Sequence, residues 1–510
     1  MCLFVQWYLI LLIIGLALTG CGAGSTVSDN AAYTSPPSAS YPPNPTIIDD
    51  VANQEEFTEF KENSFIEVTT SPKSTFGLDV DTASYSVIRR DLERGNLPPI
   101  EAIRIEEMVN FFKYDYPEPQ ENEIFSVSTE IAVAPWHGEH YLISIGLKGK
   151  SIPLDNIPAS NLVLLLDVSG SMDSSMQIVK SAMQMLTDQL REQDIVSLVT
   201  YSSSVTVQLE GVAGSDKQRI QNTIDELNAG GSTAGGPALQ TAYEIAQNYK
   251  IIDGNNRIIL ITDGDFNVGP SSQTELIDMV EQNRDSGIYI SVAGVGMGNI
   301  KDNKMEAIAD HGNGNYAYID TLSEAQRVFV EEFGSTLLTI AKDVKAQIHF
   351  NPTLVSQYRL IGYENRVLDN DDFDNDKKDA GDLGSGHTVT AFYEVIPNSS
   401  PIDTRDDTVE FGEHEWAKLE LRYKQPEAEE SQLISTSINS ADPTIETPSE
   451  NFIFAAAIAE LGLLLLHSGH KADANYNHVI QQASSAKGSD EQGYRAEFIR
   501  LANIARTLTE

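Results

Sequence analysis

Strand-length apolar runs alternating with stretches of helical periodicity fill the middle of the chain, and they constrain its fold more than any other feature. The runs are Asn161–Asp167 (NLVLLLD), Asp194–Ser202 (DIVSLVTYS), Arg257–Asp263 (RIILITD) and Ile288–Val295 (IYISVAGV). Between them, Ser174–Leu190 carries Met176, Val179, Met183 and Leu186 on one helical side, and Lys217–Leu227, Gly236–Tyr249 and Thr274–Asn283 also read as helices. A helix over Lys304–Asp310, a short strand over Asn315–Ile319 and a long helix over Ser323–Ile340 complete the unit. Near-continuous apolar strands joined by helices imply an α/β fold, a doubly wound parallel sheet covered on both faces. Ligands of such sheets bind beyond the carboxyl ends of the strands.

That edge is where oxygen-bearing side chains gather. The first run ends Asp167-Val168-Ser169-Gly170-Ser171, one carboxylate and two hydroxyls at alternate positions around a glycine. A small-residue loop at 230–236 offers Thr233, and the third run ends on Asp263. Oxygen-only ligands suit Mg²⁺, Mn²⁺ or Ca²⁺ rather than zinc. Asp167, Ser169, Ser171, Thr233 and Asp263 together resemble the metal-ion-dependent adhesion site of the von Willebrand factor type A domain: D-x-S-x-S, a Thr from a second loop and an Asp from a third. The resemblance implies a divalent cation, Mg²⁺ foremost with Mn²⁺ or Ca²⁺ as alternatives. It also implies a protein partner whose Asp or Glu carboxylate completes the coordination, and adhesion or assembly rather than turnover.

The flanks are similar to exported bacterial lipoproteins that carry such a domain. Ser74–Tyr85 (STFGLDVDTASY), Leu97-Pro98-Pro99, Arg104–Asn110 and Asp115-Tyr116-Pro117 look like their N-terminal region; Lys377–Asp382, Gly386–Ala391 and Gly493–Phe498 look like their uncharacterised C-terminal extension. Strand-like stretches precede the α/β unit (Phe125–Ala134, His140–Leu147) and follow it (Val344–Phe350, Tyr358–Tyr363, Thr388–Ile396, Trp416–Tyr423). Neither group alone makes a sandwich, so the expectation is one β-sandwich-like domain into which the α/β unit is inserted. Phe452–Leu466 is fifteen apolar-rich residues interrupted by Glu460, too short for a bilayer span, and reads as a buried helix of a C-terminal helical segment.

Residues 3–18 form an apolar run of signal-peptide length, ending Leu18-Thr19-Gly20-Cys21. This resembles a bacterial lipobox. The resemblance implies cleavage before Cys21, acylation there, and export to a lipid-anchored position in the cell envelope, the outer membrane if the source has two. The n-region departs from the pattern in lacking Lys and Arg. The expected divisions are a signal peptide at 1–20, a disordered tether at 21–62, an N-terminal conserved region with β-strands at 63–155, the A domain at 156–341, a C-terminal β region at 342–425, a linker at 426–449 and a helical segment at 450–510. The only cysteines among the 510 residues are Cys2 and Cys21, which rules out a disulfide framework or a thiolate zinc site in the body.

Lys+Arg total 34 against Asp+Glu 75, a formal charge of -41, so no clustered cations are available for nucleic acid. Asp79-Val80-Asp81-Thr82 resembles a phosphatase D-x-D motif but lacks its strand and reads as a structural turn. His137-Gly138-Glu139-His140 departs from H-E-x-x-H, which argues against zinc. Asp372, Asp374 and Asp376 alternate within Asp369–Asp382, which is either a second cation site or a solvated acidic loop; EF-hand spacing fails there. Three classes follow: a membrane-tethered, metal-dependent protein-binding module; a metal-assisted hydrolase, for which no general base is readable; and a structural envelope protein with a vestigial site. The first accounts for the most residues, and the expectation is that the chain is not an enzyme.

Overall fold

The structure, a computed structural model, describes residues 55–233, 235–264, 273–298, 300–399, 410–426, 428–444 and 447–510. The signal run and Cys21 lie outside the described residues, as does the expected tether up to residue 54.

The α/β unit contains a six-stranded sheet in the order Tyr316–Ile319, Tyr289–Val295, Asn255–Thr262, Ser160–Asp167, Ile195–Tyr201, Val205–Ala213. All neighbours run parallel except the last pair. The antiparallel edge strand Val205–Ala213 was not expected. Its alternating, half-exposed pattern lacks the continuous apolar run that marks the buried strands. Both faces are covered. Val163 and Leu165 face a core shared with Leu239, Ile258 and Tyr316, whereas Leu162, Leu164 and Leu166 face one shared with Val179, Met183 and Leu198. The chain leaves Ser160–Asp167 toward Ile195 on one side and later returns to pair Asn255–Thr262 on the other. This reversal opens a crevice at the carboxyl end of that central strand.

The flanking strands form two antiparallel sheets, and each sheet mixes strands from both sides of the inserted unit. One has the order Ile66–Glu67, Val355–Ile361, Thr388–Pro397, His137–Gly149, Phe125–Ala134. The other runs Val367–Leu368, Lys73–Gly77, Thr339–Phe350, Glu415–Lys424, Ser431–Asn439, with Gly381–Gly384 pairing Thr339–Phe350. Ile143, Ile145, Leu360 and Tyr393 of the first sheet share one core with Phe76, Ile348, Phe350 and Leu419 of the second, which is the sandwich. The opposite face of the first sheet, through Leu142 and Phe392, packs on the C-terminal helices Glu450–Leu465, Tyr476–Ser485 and Tyr494–Thr509.

Helix Glu450–Leu465 is apolar all round and buried, as expected. Glu460 within it is fully buried and accepts from the Asn475 backbone N–H at 3.1 Å and pairs with His478 at 3.1 Å. Among the described residues no helix is long and apolar enough to cross a membrane.

Three expectations need correction. The helix expected over 323–340 is broken: Leu322–Gln326 passes through a wider turn at Arg327–Glu331 to Phe333–Leu337, and a strand begins at Thr339. The β-branched Thr339-Ile340 at that point favours strand. Within the linker expected at 426–449, Ser431–Asn439 is an edge strand paired to Glu415–Lys424. An edge strand with one solvated face can be rich in Ser and Thr; Ile438 supplies its buried anchor. Finally, residues 55–62 of the expected tether are held on the body. Phe57 and Phe60 pack against its cores, and Glu62 accepts from the Ser468 hydroxyl at 2.5 Å. Two aromatic rings in a polar stretch were the overlooked signal.

Candidate functional site

Asp167 is the last residue of the central strand and is fully buried. One carboxylate oxygen accepts the Ser169 backbone N–H at 2.8 Å, a turn that a short acidic side chain closes on its own backbone. The other accepts from the Thr262 hydroxyl at 3.2 Å, and that hydroxyl accepts in turn from the Gly264 N–H at 3.2 Å. The Ser169 and Ser171 hydroxyls stand 3.0 Å apart, Ser169 buried and Ser171 at the solvent-exposed rim.

The second loop is stitched to the first by main-chain bonds. Gly170 N–H donates to the Gly231 carbonyl at 3.0 Å and Gly230 N–H to the Val168 carbonyl at 2.8 Å. Thr233 follows two residues later and is partly buried; among the described residues its hydroxyl is not hydrogen-bonded to the other four side chains. Asp263, buried, follows the neighbouring strand Asn255–Thr262. Burial, reinforced by the charge of Asp263 and opposed by the Ser169 and Thr262 hydrogen bonds, pushes the Asp167 carboxyl up to about 6.

Sequence reasoning passed over Thr262, Tyr201, the loop at 202–204 and the turn at 296–298. Tyr201 pairs with Asp167 in the parallel register, and burial with the Asp167 charge raises its phenol well above the usual range. Gly231 (φ +89) is held against the 202–204 loop, where a Cβ would lie 2.6 Å from the Ser203 hydroxyl. Gly296 (φ +87) backs Asp263: a Cβ there would lie 3.2 Å from the Asp263 Cβ. Reading every loop that follows a parallel strand, rather than only those carrying carboxylates, would have found them.

Among the described residues no lysine or arginine pairs with Asp167, and no cluster of three or more His, Cys, Asp or Glu side chains could hold a metal ion. The site instead combines two buried carboxylates, one raised by burial and by the other's charge, with neutral hydroxyls at the mouth. Carboxylate and hydroxyl oxygens gathered at one edge fit a hard divalent cation.

The other acidic features are structural. The Asp81 N–H donates to Asp79 at 3.0 Å, and Arg366 bridges Asp79 at 2.9 Å and Asp310 at 2.8 Å, so the D-x-D segment is a turn inside an ion-pair cluster. In the 369–382 loop, Arg422 pairs with Asp374 at 2.5 Å and Lys378 with Asp372 at 3.6 Å. Those side chains tie the loop down. His140 pairs with Glu394 at 2.6 Å and stacks on His137 at 3.5 Å between ring centroids.

Fold and edge loops define a von Willebrand factor type A protein. The family model described as von Willebrand factor type A domain matches residues 161–332, one described as von Willebrand factor matches 51–144, and one described as uncharacterized protein YfbK, C-terminal, matches 335–508. The chain is 42% identical over 471 residues to uncharacterized protein YfbK of Escherichia coli (strain K12), spanning 89% of this chain and 81% of that protein. It belongs to the YfbK family of bacterial proteins with a von Willebrand factor type A domain. Uncharacterized protein sll0103 of Synechocystis sp. is 30% identical over 193 residues, 38% of this chain and 45% of that protein. A solved structure, von Willebrand factor type A from Catenulispora acidiphila, covers 74% of this chain and 90% of its own at 17% identity and a TM-score of 0.40.

Proposed function

We propose that the chain is an exported, membrane-tethered module that holds a divalent cation, Mg²⁺ in the first instance, and through it binds a protein partner. The observation that carries this reading is the pairing of two buried carboxylates, Asp167 and Asp263, beside the Ser169 and Ser171 hydroxyls at the crevice of the sheet. A domain of this kind is a protein–protein interaction unit, and the cation would add a charge-assisted contact to it. Asp167 and Asp263 would supply charge, with Ser169, Ser171 and Thr233 supplying neutral oxygens. When bound, the cation supplies a Lewis-acidic position that an Asp or Glu carboxylate of the partner completes. With only two anionic ligands the loaded site would be formally neutral and could still accept a further carboxylate, whereas a fully acidic cage would repel it.

The tether is the second part of the reading. The apolar run ending Leu18-Thr19-Gly20-Cys21 would direct export and acylation of Cys21, and more than one acyl chain makes such an anchor stable. Pull-down from envelope extract with the body of the chain tests the partner contact. Proteins retained with Mg²⁺ and released by EDTA are expected, and Asp167→Ala should lose the same set; equal retention with and without EDTA would contradict it. Labelling with an alkyne fatty acid tests the anchor: Cys21→Ser should carry no label and leave the membrane fraction.

A further inference from the structure

The segment by which the tether would reach the folded body ends beside the candidate site. Glu55 forms a two-pronged ion pair with Arg90, at 3.0 and 2.9 Å, and both side chains are about 95% buried. The same Glu55 carboxylate accepts the Gly298 N–H at 2.9 Å. Arg90 donates to the Tyr318 hydroxyl at 3.3 Å, and that hydroxyl donates to the Gly296 carbonyl. The bonds close a ring: Glu55, Arg90, Tyr318, Gly296, and back through Gly298 to Glu55. Both glycines in the ring have positive φ, +87 and +77, so the ring holds a turn that other residues rarely adopt.

That turn is the one that backs Asp263. A Cβ on Gly296 would come within 3.2 Å of the Asp263 Cβ and 3.4 Å of the Ser175 hydroxyl. A Cβ on Gly264, the residue after Asp263, would come within 2.5 Å of the Lys301 N–H nitrogen. Glu56 holds that end: its N–H donates to the Ile300 carbonyl at 2.8 Å, and its carboxylate pairs with Lys301 at 2.7 Å. The backbone at Gly296, Gly298, Ile300 and Lys301 therefore lies between Glu55-Glu56 on one side and Asp263-Gly264 on the other.

We propose that Glu55 is a positioning residue for the cation site: the strap at 55–56 fixes the turn against which Asp263 is set, and so ties the site's cation affinity to the point where the tether joins the body. This inference rests on the cation-binding reading above. Glu55 touches none of the five ligand candidates and acts through the Gly296–Gly298 turn. Unseating the strap would loosen Asp263 without removing any ligand, the way outer partners tune a metal site.

The test uses the full chain, Mg²⁺ as probe, calorimetry for affinity and hydrogen exchange for the backbone at 296–301. Glu55→Ala is expected to weaken Mg²⁺ binding by at least about fivefold and to speed exchange at 296–301. Glu55→Gln, which keeps an acceptor for the Gly298 N–H, should recover part of the loss. Tyr318→Phe opens the ring without touching the strap and should weaken binding as well, which guards against a Glu55 variant that simply misfolds. Glu59→Gln, an exposed change on the same segment, serves as the control and should match wild type. Glu55→Ala and Tyr318→Phe both within twofold of wild type would overturn the positioning role alone. A wild-type chain that takes up no Mg²⁺ would overturn the cation reading and this inference together.

Discussion

Asp167 ends one strand and Asp263 immediately follows the adjacent parallel one, both carboxylates are buried, and the charge of the second adds to the burial that pushes the first up to about 6. Two like charges out of water at one sheet edge cost stability unless a counter-charge is supplied. Without a cation, therefore, removing one charge should help. Asp167→Asn keeps an acceptor for the Ser169 N–H, and in EDTA its melting temperature should exceed that of wild type by ~2 °C or more. Added Mg²⁺ should raise the wild-type value and leave the variant unchanged. A variant that melts well below wild type in EDTA would show that the carboxylate pair is not strained.

The inserted unit is joined to the flanks by a buried ion network. Arg89, on helix Ala83–Glu93, reaches Asp320, Glu324 at 3.0 Å and Glu497 of the last helix at 3.0 Å, and Glu324 is fully buried. Arg89→Ala leaves Asp320 buried without its cation, while Glu324 keeps Arg327 at 2.6 Å, and should cost about 3 kcal/mol in urea unfolding. A loss under about 1 kcal/mol, the size of a surface pair, would contradict the burial of this network.

Because each sandwich sheet draws strands from both sides of the insertion, the N-terminal flank should not fold alone. Among the described residues, Ile66–Glu67 and Lys73–Gly77 pair only with strands that follow the α/β unit. A fragment of residues 55–158 is expected to give a collapsed amide spectrum in NMR, and to gain dispersion on mixing with 339–510. Dispersed amides from 55–158 alone would contradict the shared sandwich.

Burial lowers the His387 imidazole to about 4. In the unfolded chain the ring protonates near its ordinary value, so the unfolded state binds more protons between about 6.5 and 4. Stability is fully present above that window and falls as pH drops through it. The drop from 6.5 to about 4 sets an upper limit of about 3 kcal/mol, and partial exposure of the ring brings the effect below it. His387→Gln should flatten the difference between unfolding at pH 7 and pH 4.5; an unchanged difference would show that His387 does not carry it.

Most of the α/β unit is legible because buried parallel strands must be apolar on both faces. The runs at 161–167 and 257–263 leave no other assignment. The edge strand Val205–Ala213 and the sandwich edge Ser431–Asn439 escape notice for the opposite reason: with one face in water, polar residues suffice on alternate positions. The candidate ligands are legible as types, since Asp, Ser and Thr at strand ends are few. What holds them is not. Thr262 under Asp167, the Gly170–Gly231 bond and the Glu55–Arg90 clamp join residues far apart in the chain, and no spacing announces such a meeting.

Crystals of the chain grown with Mn²⁺, with anomalous differences recorded near the manganese edge, test the central claim most directly. The account predicts a peak bounded by Asp167, Ser169, Ser171, Thr233 and Asp263, absent from Asp167→Ala crystals grown alongside. Manganese bound elsewhere with that crevice empty, or a peak that survives the substitution, would contradict it.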